Sequence, residues 1–223
     1  MRNINQEELN KIVREHELWL KGEGGKRANL EYADLKYVNL KYVNLKYADL
    51  SNADLKYTNL SNADLRYTNL RCADLRCADL RHTNLSNADL SNANLSSADL
   101  SSTDLKDIKT NIYTIGYNLA CPETGSFIGY KKAGGCIVKL LILEDSKRSS
   151  ATTIKCRCDK AKVLDIENIE TGEKINVVNS NRDSNFIYKV GEIVHVDNFD
   201  NNRWNECSAG IHFFVNKENA INY

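Results

Sequence analysis

A leucine stands at every fifth position of this chain from Leu30 to Leu105, sixteen times without interruption. Each is directly preceded by Asp or Asn, and the residue before that is Ala, Val or Thr, as in Ala63-Asp64-Leu65. A period of five matches neither the 3.6-residue period of a helix nor the alternation of a strand, so the chain must turn once per unit. Such a strict short repeat is typical of a solenoid, in which each unit buries its apolar face by stacking on its neighbours.

Two positions of each unit are predicted to point inward: the leucine and the small residue two positions before it. The leucine supplies most of the buried area, at roughly 1.5–3 kcal/mol per side chain. The other position must stay small because the backbone passes close to it. Asp and Asn suit the place beside the corner, since their side chains bond to nearby backbone amides and tolerate turns.

These units resemble those of the pentapeptide repeat family over residues 28–107. The resemblance implies a right-handed, four-sided β-helix with four units in each coil, and therefore about four coils. We accordingly predict an all-β solenoid, a right-handed quadrilateral β-helix, over residues 26–110.

Residues 1–25 are predicted to form a capping helix followed by a glycine-rich turn. Asn5 and Glu8 have the spacing of a capping box, and apolar residues follow at helical spacing until residues 22–25 end the element. Because the first coil of a solenoid needs a cover, we expect Trp19 to pack over it. His16 on the same face is expected to be a packed histidine, not a ligand.

The outward positions after each leucine are often a basic residue followed by tyrosine. In a 20-residue coil, Tyr37 would stack on Tyr57, and Tyr47 on Tyr67. Tyrosine and arginine are common in protein interfaces. The predicted contact patch for a protein partner is Tyr37, Lys56, Tyr57, Arg66 and Tyr67. Two other interpretations stay open: a solvated face whose charges pair with one another, and a surface that stacks single-stranded nucleic acid.

The net charge of the repeats bears on two further functions, imitation of DNA and binding of DNA. The resembled family includes quinolone-resistance proteins, which imitate DNA with an acidic column and engage type II topoisomerases such as DNA gyrase. The resemblance therefore implies gyrase binding as an alternative function. Residues 26–107 hold eleven Lys and Arg against eleven Asp and Glu, so this column is neutral. A DNA mimic needs about one negative charge per 1.7 Å, and a DNA-binding protein needs a basic footprint. The sequence disfavours both the gyrase-interacting alternative and nucleic-acid binding.

Residues 111–223 have ordinary mixed composition and predict a β-rich α+β domain, with residues 106–118 as a last edge and linker. Strands are predicted at residues 136–143, 152–159, 161–169, 174–178, 186–190, 193–196 and 210–215, with a polar turn at 144–150 and a short helix after Asn216. The segments Gly129-Tyr130-Lys131-Lys132, Lys155-Cys156-Arg157 and Gly210-Ile211-His212-Phe213-Phe214 resemble a domain of unknown function that follows pentapeptide repeats in bacterial and phage proteins. That resemblance implies architecture only.

A zinc site or a cysteine nucleophile in this second domain is a further alternative. Cys156, Cys158, Cys207 and His212 have the side-chain types of a zinc site, but their spacing is irregular and no CxxC pair occurs. Cys156 and Cys158 are also predicted to lie with Ile154 on the inward face of a strand, where cysteine packs as a small hydrophobe. Cys207 could serve as a nucleophile with His212 or His195 as its base. We predict no cofactor and no enzyme activity, and the thiol or zinc chemistry remains the alternative.

The sequence lacks the features of a membrane protein or a secreted protein. It has no apolar run long enough for a membrane span, its N-terminus is too charged for a signal peptide, and Cys72 and Cys77 occupy outward positions without a disulfide framework. We therefore expect a cytoplasmic protein without membrane contact. The predicted function is a non-enzymatic protein–protein interaction scaffold, a rigid column that displays a C-terminal module to a protein partner. Homodimer formation is left open.

Overall fold

The computed structural model describes residues 1–223 and divides them into two compact units, Met1–Asn118 and Leu119–Tyr223. The division falls later than the predicted start of the second domain at residue 111, because the chain continues to bond to the repeats after Leu105. The Leu95 amide donates to the Ile115 carbonyl at 2.8 Å. No helix is long and apolar enough to cross a membrane.

The first unit begins with helix α1, Gln6–Lys21. The side chain of Asn5 accepts a hydrogen bond from the Glu8 amide at 2.8 Å, as the sequence predicts. The Glu8 carboxylate pairs with Arg2 at 2.6 Å, so no reciprocal bond from Glu8 completes the capping box. Gly22 ends the helix with φ 73°, a left-handed conformation that costs glycine nothing.

Helix α1 is tied to the repeats by polar and backbone contacts. The buried His16 accepts a hydrogen bond through Nδ1 from the Ala28 amide at 3.1 Å, and its ring stacks on Trp19 at 5.5 Å. Strand β1, Arg2–Asn3, pairs in parallel with strand β2, Ala33–Asp34. The interpretation of His16 as a packed histidine is confirmed, and burial lowers its pKa.

The repeat column (residues 26–110) is built by pairing each unit with the unit 20 residues later. Asp34 bridges to Asp54, and Asp54 bridges to Asp74, in parallel. Fifteen leucines, from Leu30 to Leu100, are at most 2 % exposed, which confirms the inward assignment for them. The sixteenth, Leu105, is only partly buried. The column is therefore a β-helix with four pentapeptides in each 20-residue coil.

Alanine or threonine occupies most of the second inward positions. Ala33 and Ala53 are at most 1 % exposed. Where threonine replaces alanine, its hydroxyl bonds to a carbonyl of the previous coil, as Thr58 Oγ1 donates to Leu35 O at 2.8 Å. A buried hydroxyl without a partner is costly, so this bond makes threonine acceptable inside the column.

Each corner is held by two local hydrogen bonds. The amide of Ala53 donates to the carbonyl of Leu50 at 3.2 Å and closes a turn. The carboxylate of Asp54 accepts from the amide of Lys56 at 3.2 Å, and the same bond recurs along the column. The predicted role of Asp and Asn beside the corner is thereby confirmed.

The second unit contains nine strands and one short helix. They are β3 (Phe127–Ala133), β4 (Cys136–Ile142), β5 (Arg148–Ser150), β6 (Cys156–Cys158), β7 (Lys160–Asn168), β8 (Val177–Asn179), β9 (Ile187–Lys189), β10 (Ile193–His195), β11 (Ile211–Phe213) and α2 (Lys217–Ile221). The order β10-β7-β4-β3 forms an antiparallel sheet, β11-β6-β5 forms a second, and β8 pairs with β9. The predicted β-rich C-terminal domain is present.

The main core of this unit lies between the two larger sheets, and Ala220 of α2 packs in a second, smaller apolar cluster with Ile137 and Phe214. Val138, Leu140 and Ile142 of β4 are fully or almost fully buried, and so are Cys156 and Phe213 of the second sheet. The side chain of Asn216 caps α2 as the sequence predicts. Alternate residues of β4 thus face a core that the second sheet completes.

Three local predictions for this unit are wrong. Residues 148–150 form β5 within the predicted turn, because they pair with β6, and the Arg148 side chain donates to carbonyl oxygens of neighbouring loops, including that of Gly125 at 2.8 Å. Ile154 is 58 % exposed and lies outside the strand, which begins at Cys156. Arg157 is only 1 % exposed, so both faces of β6 are covered and alternation does not describe it. β3 has no counterpart among the predicted strands.

Candidate functional site

The outward surface of the repeat column is set by a left-handed residue at every corner. Each residue two positions after a leucine has a positive φ between 53° and 67°, from Tyr32 to Asp107. Asparagine adopts this conformation readily, whereas bulky side chains pay a conformational cost. Tyrosine nevertheless fills six of these positions in the first part of the column: Tyr32, Tyr37, Tyr42, Tyr47, Tyr57 and Tyr67.

Four of these tyrosines form two stacks. Tyr37 and Tyr57 have ring centroids 5.0 Å apart and planes only 3° from parallel. Tyr47 and Tyr67 are also 5.0 Å apart, with planes at 21°. The stacking predicted from a 20-residue coil is present in both cases. Tyr37 is 73 % exposed and Tyr57 52 %, so the Tyr37–Tyr57 stack is an exposed aromatic surface.

The charges beside the Tyr37–Tyr57 stack pair with one another. Lys56 Nζ lies 3.0 Å from Asp54 and 3.7 Å from Asp74, and Arg76 lies 2.7 Å from Asp74. The hydrogen bond from Arg76 holds the pKa of the Asp74 carboxyl below its usual value against the opposing effect of burial. The row of stacked basic side chains on this side is thus neutralised by the row of acidic side chains that contacts it directly.

The five residues of the predicted contact patch do not share one surface. Tyr57 and Tyr67 are ten residues apart, which is half of the 20-residue repeat in the bridges, so they lie on opposite sides of the column. Tyr37, Lys56 and Tyr57 belong to one side. Arg66 and Tyr67 belong to the other, where the Arg66 guanidinium pairs with Asp64 at 2.5 Å.

The side with Tyr47 and Tyr67 continues onto α1, which the sequence did not predict. Trp19, 38 % exposed, meets Tyr47 edge-on with ring centroids 6.4 Å apart. Lys46 Nζ lies 4.8 Å from the Tyr47 ring and 5.8 Å from the Tyr67 ring. The expected packing of Trp19 over the first coil is limited to this edge-on contact, and the buried residues of α1 are Leu9 and His16.

In the second unit, a cavity of about 540 Å³ brings together Cys207, His195 and His212. His212 Nε2 lies 3.0 Å from the carbonyl oxygen of Glu206, which can only accept, so Nε2 carries the proton. Burial lowers the pKa of His212 to about 4, and the imidazole is neutral at physiological pH. The sulfur of Cys207 lies 3.9 Å from Lys155 Nζ and makes no hydrogen bond to either histidine.

The four candidate zinc ligands are not assembled. Cys156 and Cys158 are fully buried in the core, whereas Cys207 is exposed and His212 is committed to a backbone carbonyl. Burial raises the pKa of the Cys158 thiol, which disfavours the thiolate that zinc binds. No group of three or more His, Cys, Asp or Glu side chains is placed to hold a metal ion.

Comparisons with known families agree with this division. Residues 26–56, 44–76 and 73–109 match pentapeptide repeats, in eight copies, and residues 117–220 match a family of unknown function, DUF5758. The chain belongs to the pentapeptide repeat family, and its column is accordingly a right-handed β-helix. No protein with a curated description matches it.

Parts of this chain are also similar to solved structures. The pentapeptide repeat protein alr5209 from Nostoc PCC 7120 is 36 % identical, over 47 % of this chain and 83 % of that one, with a TM-score of 0.41. Rfr23 from Cyanothece 51142, another pentapeptide repeat protein, is 38 % identical over 41 % of this chain and 66 % of its own, with a TM-score of 0.24. QnrB1, a plasmid-mediated fluoroquinolone resistance protein, is 15 % identical over 42 % of this chain and 71 % of its own, with a TM-score of 0.19.

Proposed function

We propose that this protein is a non-enzymatic protein–protein interaction scaffold. In this proposal the repeat column has four coils, is covered at its first coil by α1, and displays both an aromatic surface and the C-terminal domain. The continuous ladder of backbone hydrogen bonds keeps the outward side chains at fixed spacing. A partner then meets a surface that is already ordered and loses little conformational entropy on binding.

The observation that carries the proposal is the placement of tyrosine at left-handed corners. Asparagine occupies the equivalent corner at Asn52, Asn62, Asn87 and Asn92. Tyrosine in this conformation costs on the order of 1 kcal/mol more than a residue that tolerates it. Stacking of two exposed rings recovers part of this cost. Since folding alone favours asparagine, the exposed tyrosines are better explained by binding.

We place the primary contact at the Tyr37–Tyr57 stack, with Lys56 beside it. Tyr37 is the most exposed tyrosine of the column. Flat aromatic surfaces with a rim of paired charges resemble the composition of protein interfaces, where tyrosine anchors are common. The neutral column supports a protein partner over nucleic acid, because six of its cations already have carboxylate partners: Lys36, Lys56, Arg66, Arg71, Arg76 and Arg81.

The double variant Tyr37→Asn with Tyr57→Asn tests this proposal. We expect it to lose capture of the partner by about tenfold or more, since two anchors are removed. Its melting temperature should stay within about 2 °C of the parent or rise, because asparagine suits the left-handed corner. The measurement compares full-length parent and variant baits in a bacterial lysate by quantitative mass spectrometry, with circular dichroism melts of both.

The matched control is Cys77→Asn, which changes the corner that lies one coil after Tyr57 on the same side. Cys77 is exposed and its φ of 57° matches that of Tyr57. The control should capture the same proteins as the parent. Equal capture by all three baits would show that the Tyr37–Tyr57 stack is not the contact surface. A second copy of the chain is also a protein partner, so light scattering of each bait determines whether the variant changes oligomeric state.

A further inference from the structure

The C-terminal domain contains a cavity whose charged side chains are all cationic. This cationic cavity has a volume of about 250 Å³, and its lining includes Lys131, Lys132 and Arg182 but no carboxylate side chain. Lys132 donates to the carbonyl oxygen of Ile221 at 2.9 Å and is therefore already engaged. Lys131 and Arg182 remain to receive an anion.

Lys131 is partly buried and has no counter-ion. The ion pairs of the C-terminal domain join other cations to carboxylates: Lys155, Lys160, Lys174, Lys189 and Lys217. The Lys131 ammonium lies over the face of the Tyr188 ring, 6.0 Å from its centroid. Burial first, and then the nearby Arg182, lower the pKa of Lys131 to about 8. A desolvated cation without a partner is costly, and a bound anion would remove that cost.

Neutral donors complete the site. Asn181 accepts a hydrogen bond through Oδ1 from the Gly134 amide at 2.6 Å, which leaves its side-chain NH₂ group as a donor. The hydroxyl oxygen of Ser180 accepts from the Arg182 amide at 3.4 Å, so its own hydrogen remains available. Both residues line the cationic cavity. Two cations with two polar donors match the charge and the several acceptor oxygens of a phosphate group.

Aromatic side chains form the remaining wall. Phe214 and Tyr223 line the cationic cavity, and their ring centroids lie 5.1 Å apart. Lys155 Nζ lies 5.4 Å from the centroid of the Tyr223 ring, but Tyr223 is 65 % exposed, so part of the ring stays open to a planar group. The adjoining cavity of about 540 Å³ shares Lys131, Ser180, Arg182 and His212 and provides room for a larger ligand. This adjoining cavity also contains the carboxylates of Asp183 and Asp197, which repel an anion. The anionic end of the ligand is therefore expected in the cationic cavity.

We propose that the cationic cavity binds a small organic phosphate, with the phosphate group between Lys131 and Arg182 and a planar body against the ring of Tyr223. This site is independent of the tyrosine surface on the repeat column. Nothing in the proposal requires a covalent step.

Calorimetric titration of the full-length protein tests the site with three probes: adenosine monophosphate, inorganic phosphate and adenosine. We expect one saturable site for the monophosphate and weaker saturable binding of inorganic phosphate. Adenosine, which lacks the anion, should show no saturable binding. Lys131→Met and Arg182→Gln should each weaken binding of the monophosphate by about tenfold or more. Tyr223→Ala should weaken the monophosphate and leave inorganic phosphate unchanged.

Lys162→Met is the matched control, because Lys162 is an exposed cation of β7 that does not line the cavity. It removes the same charge and should bind the monophosphate as the parent does. Lys131→Met should melt at a higher temperature than the parent, since an uncompensated charge is removed, and its loss of binding is then not a loss of folding. Arg182 is exposed, so Arg182→Gln provides a second folded variant.

Two results would overturn the proposal. One is the absence of saturable binding of both phosphate probes to the parent protein at millimolar concentration. The other is equal affinity of the parent and Lys131→Met for the monophosphate, which would mean that any binding takes place elsewhere on the surface.

Discussion

Leu65→Lys is expected to abolish cooperative folding of the repeat column. Leu65 is fully buried near the middle of the column, and its amide donates to Asn84 O at 2.8 Å. The substitution removes an apolar side chain that is worth about 2–5 kcal/mol in a core and adds a charge with no partner. The combined loss, above about 5 kcal/mol, is comparable with the whole stability of a domain. Urea unfolding followed by circular dichroism measures it.

Leu65→Met is the control for this prediction. It keeps the apolar character and nearly the same volume, so it should cost less than about 1.5 kcal/mol. A cooperative transition of Leu65→Lys at the parent's urea midpoint would show that Leu65 does not point inward. Loss of folding in both variants would instead indicate that this position tolerates no change of shape.

Arg157→Ala is expected to unfold or strongly destabilise the C-terminal domain. Arg157 is 1 % exposed, and its guanidinium donates to the carbonyl oxygens of Asp200, Asn202 and Ala209 at 2.9–3.1 Å. The cation also lies 5.2 Å from the Phe199 ring. Hydrogen bonds from a charged group contribute about 1.5–3 kcal/mol each, and the carbonyls would lose their donor. We expect a loss of about 3–5 kcal/mol and a fall in melting temperature of about 10 °C or more.

Arg157→Lys separates the role of the charge from the role of the three donors. Lysine keeps the positive charge but cannot reproduce the planar fork of donors, so it should recover only part of the stability. Lys162→Ala, at an exposed position of β7, should change the melting temperature little. If Arg157→Ala melts with the parent, residues 199–210 are held by other contacts and the guanidinium is not their anchor.

The column could be predicted almost entirely from its sequence, since its contacts repeat every five residues. Leucine and alanine at fixed positions identify the buried face, and the Asp or Asn between them identifies the corner. The Tyr37–Tyr57 stack could also be predicted, although only with a 20-residue coil taken from the family resemblance. The same coil separates Tyr57 from Tyr67 by half a turn, and the predicted patch overlooked this consequence.

The C-terminal domain was harder to predict, in part because burial in β6 does not alternate from residue to residue. All three residues of β6, including Arg157, are buried between neighbouring elements. A charged residue in a short sequence segment indicates exposure unless its partners are known, and the carbonyl partners of Arg157 lie more than forty residues away in the chain. Local sequence patterns contain no sign of such a contact.

The cationic cavity could not be predicted for a related reason. Its lining comes from β3, from residues 180–182, from β11 and from Tyr223. Lys131-Lys132 is a basic pair in the sequence. Its meeting with Arg182 and His212 depends on how three separate segments fold together. Cys207 and the two histidines do share a cavity, but without the hydrogen bonds that a nucleophile and its base need.

The pairing of each residue with the residue 20 positions later limits how the length of this protein can change during evolution. Loss of a whole 20-residue segment leaves every remaining corner above an equivalent corner. Loss of a single five-residue unit between Tyr37 and Tyr57 would preserve the buried leucines but shift the phase by a quarter turn, so that Asn62 would follow Tyr37 in place of Tyr57. Insertions and deletions of five residues are therefore neutral for the core and rearrange the outer surface, which allows new binding faces to arise on an unchanged framework.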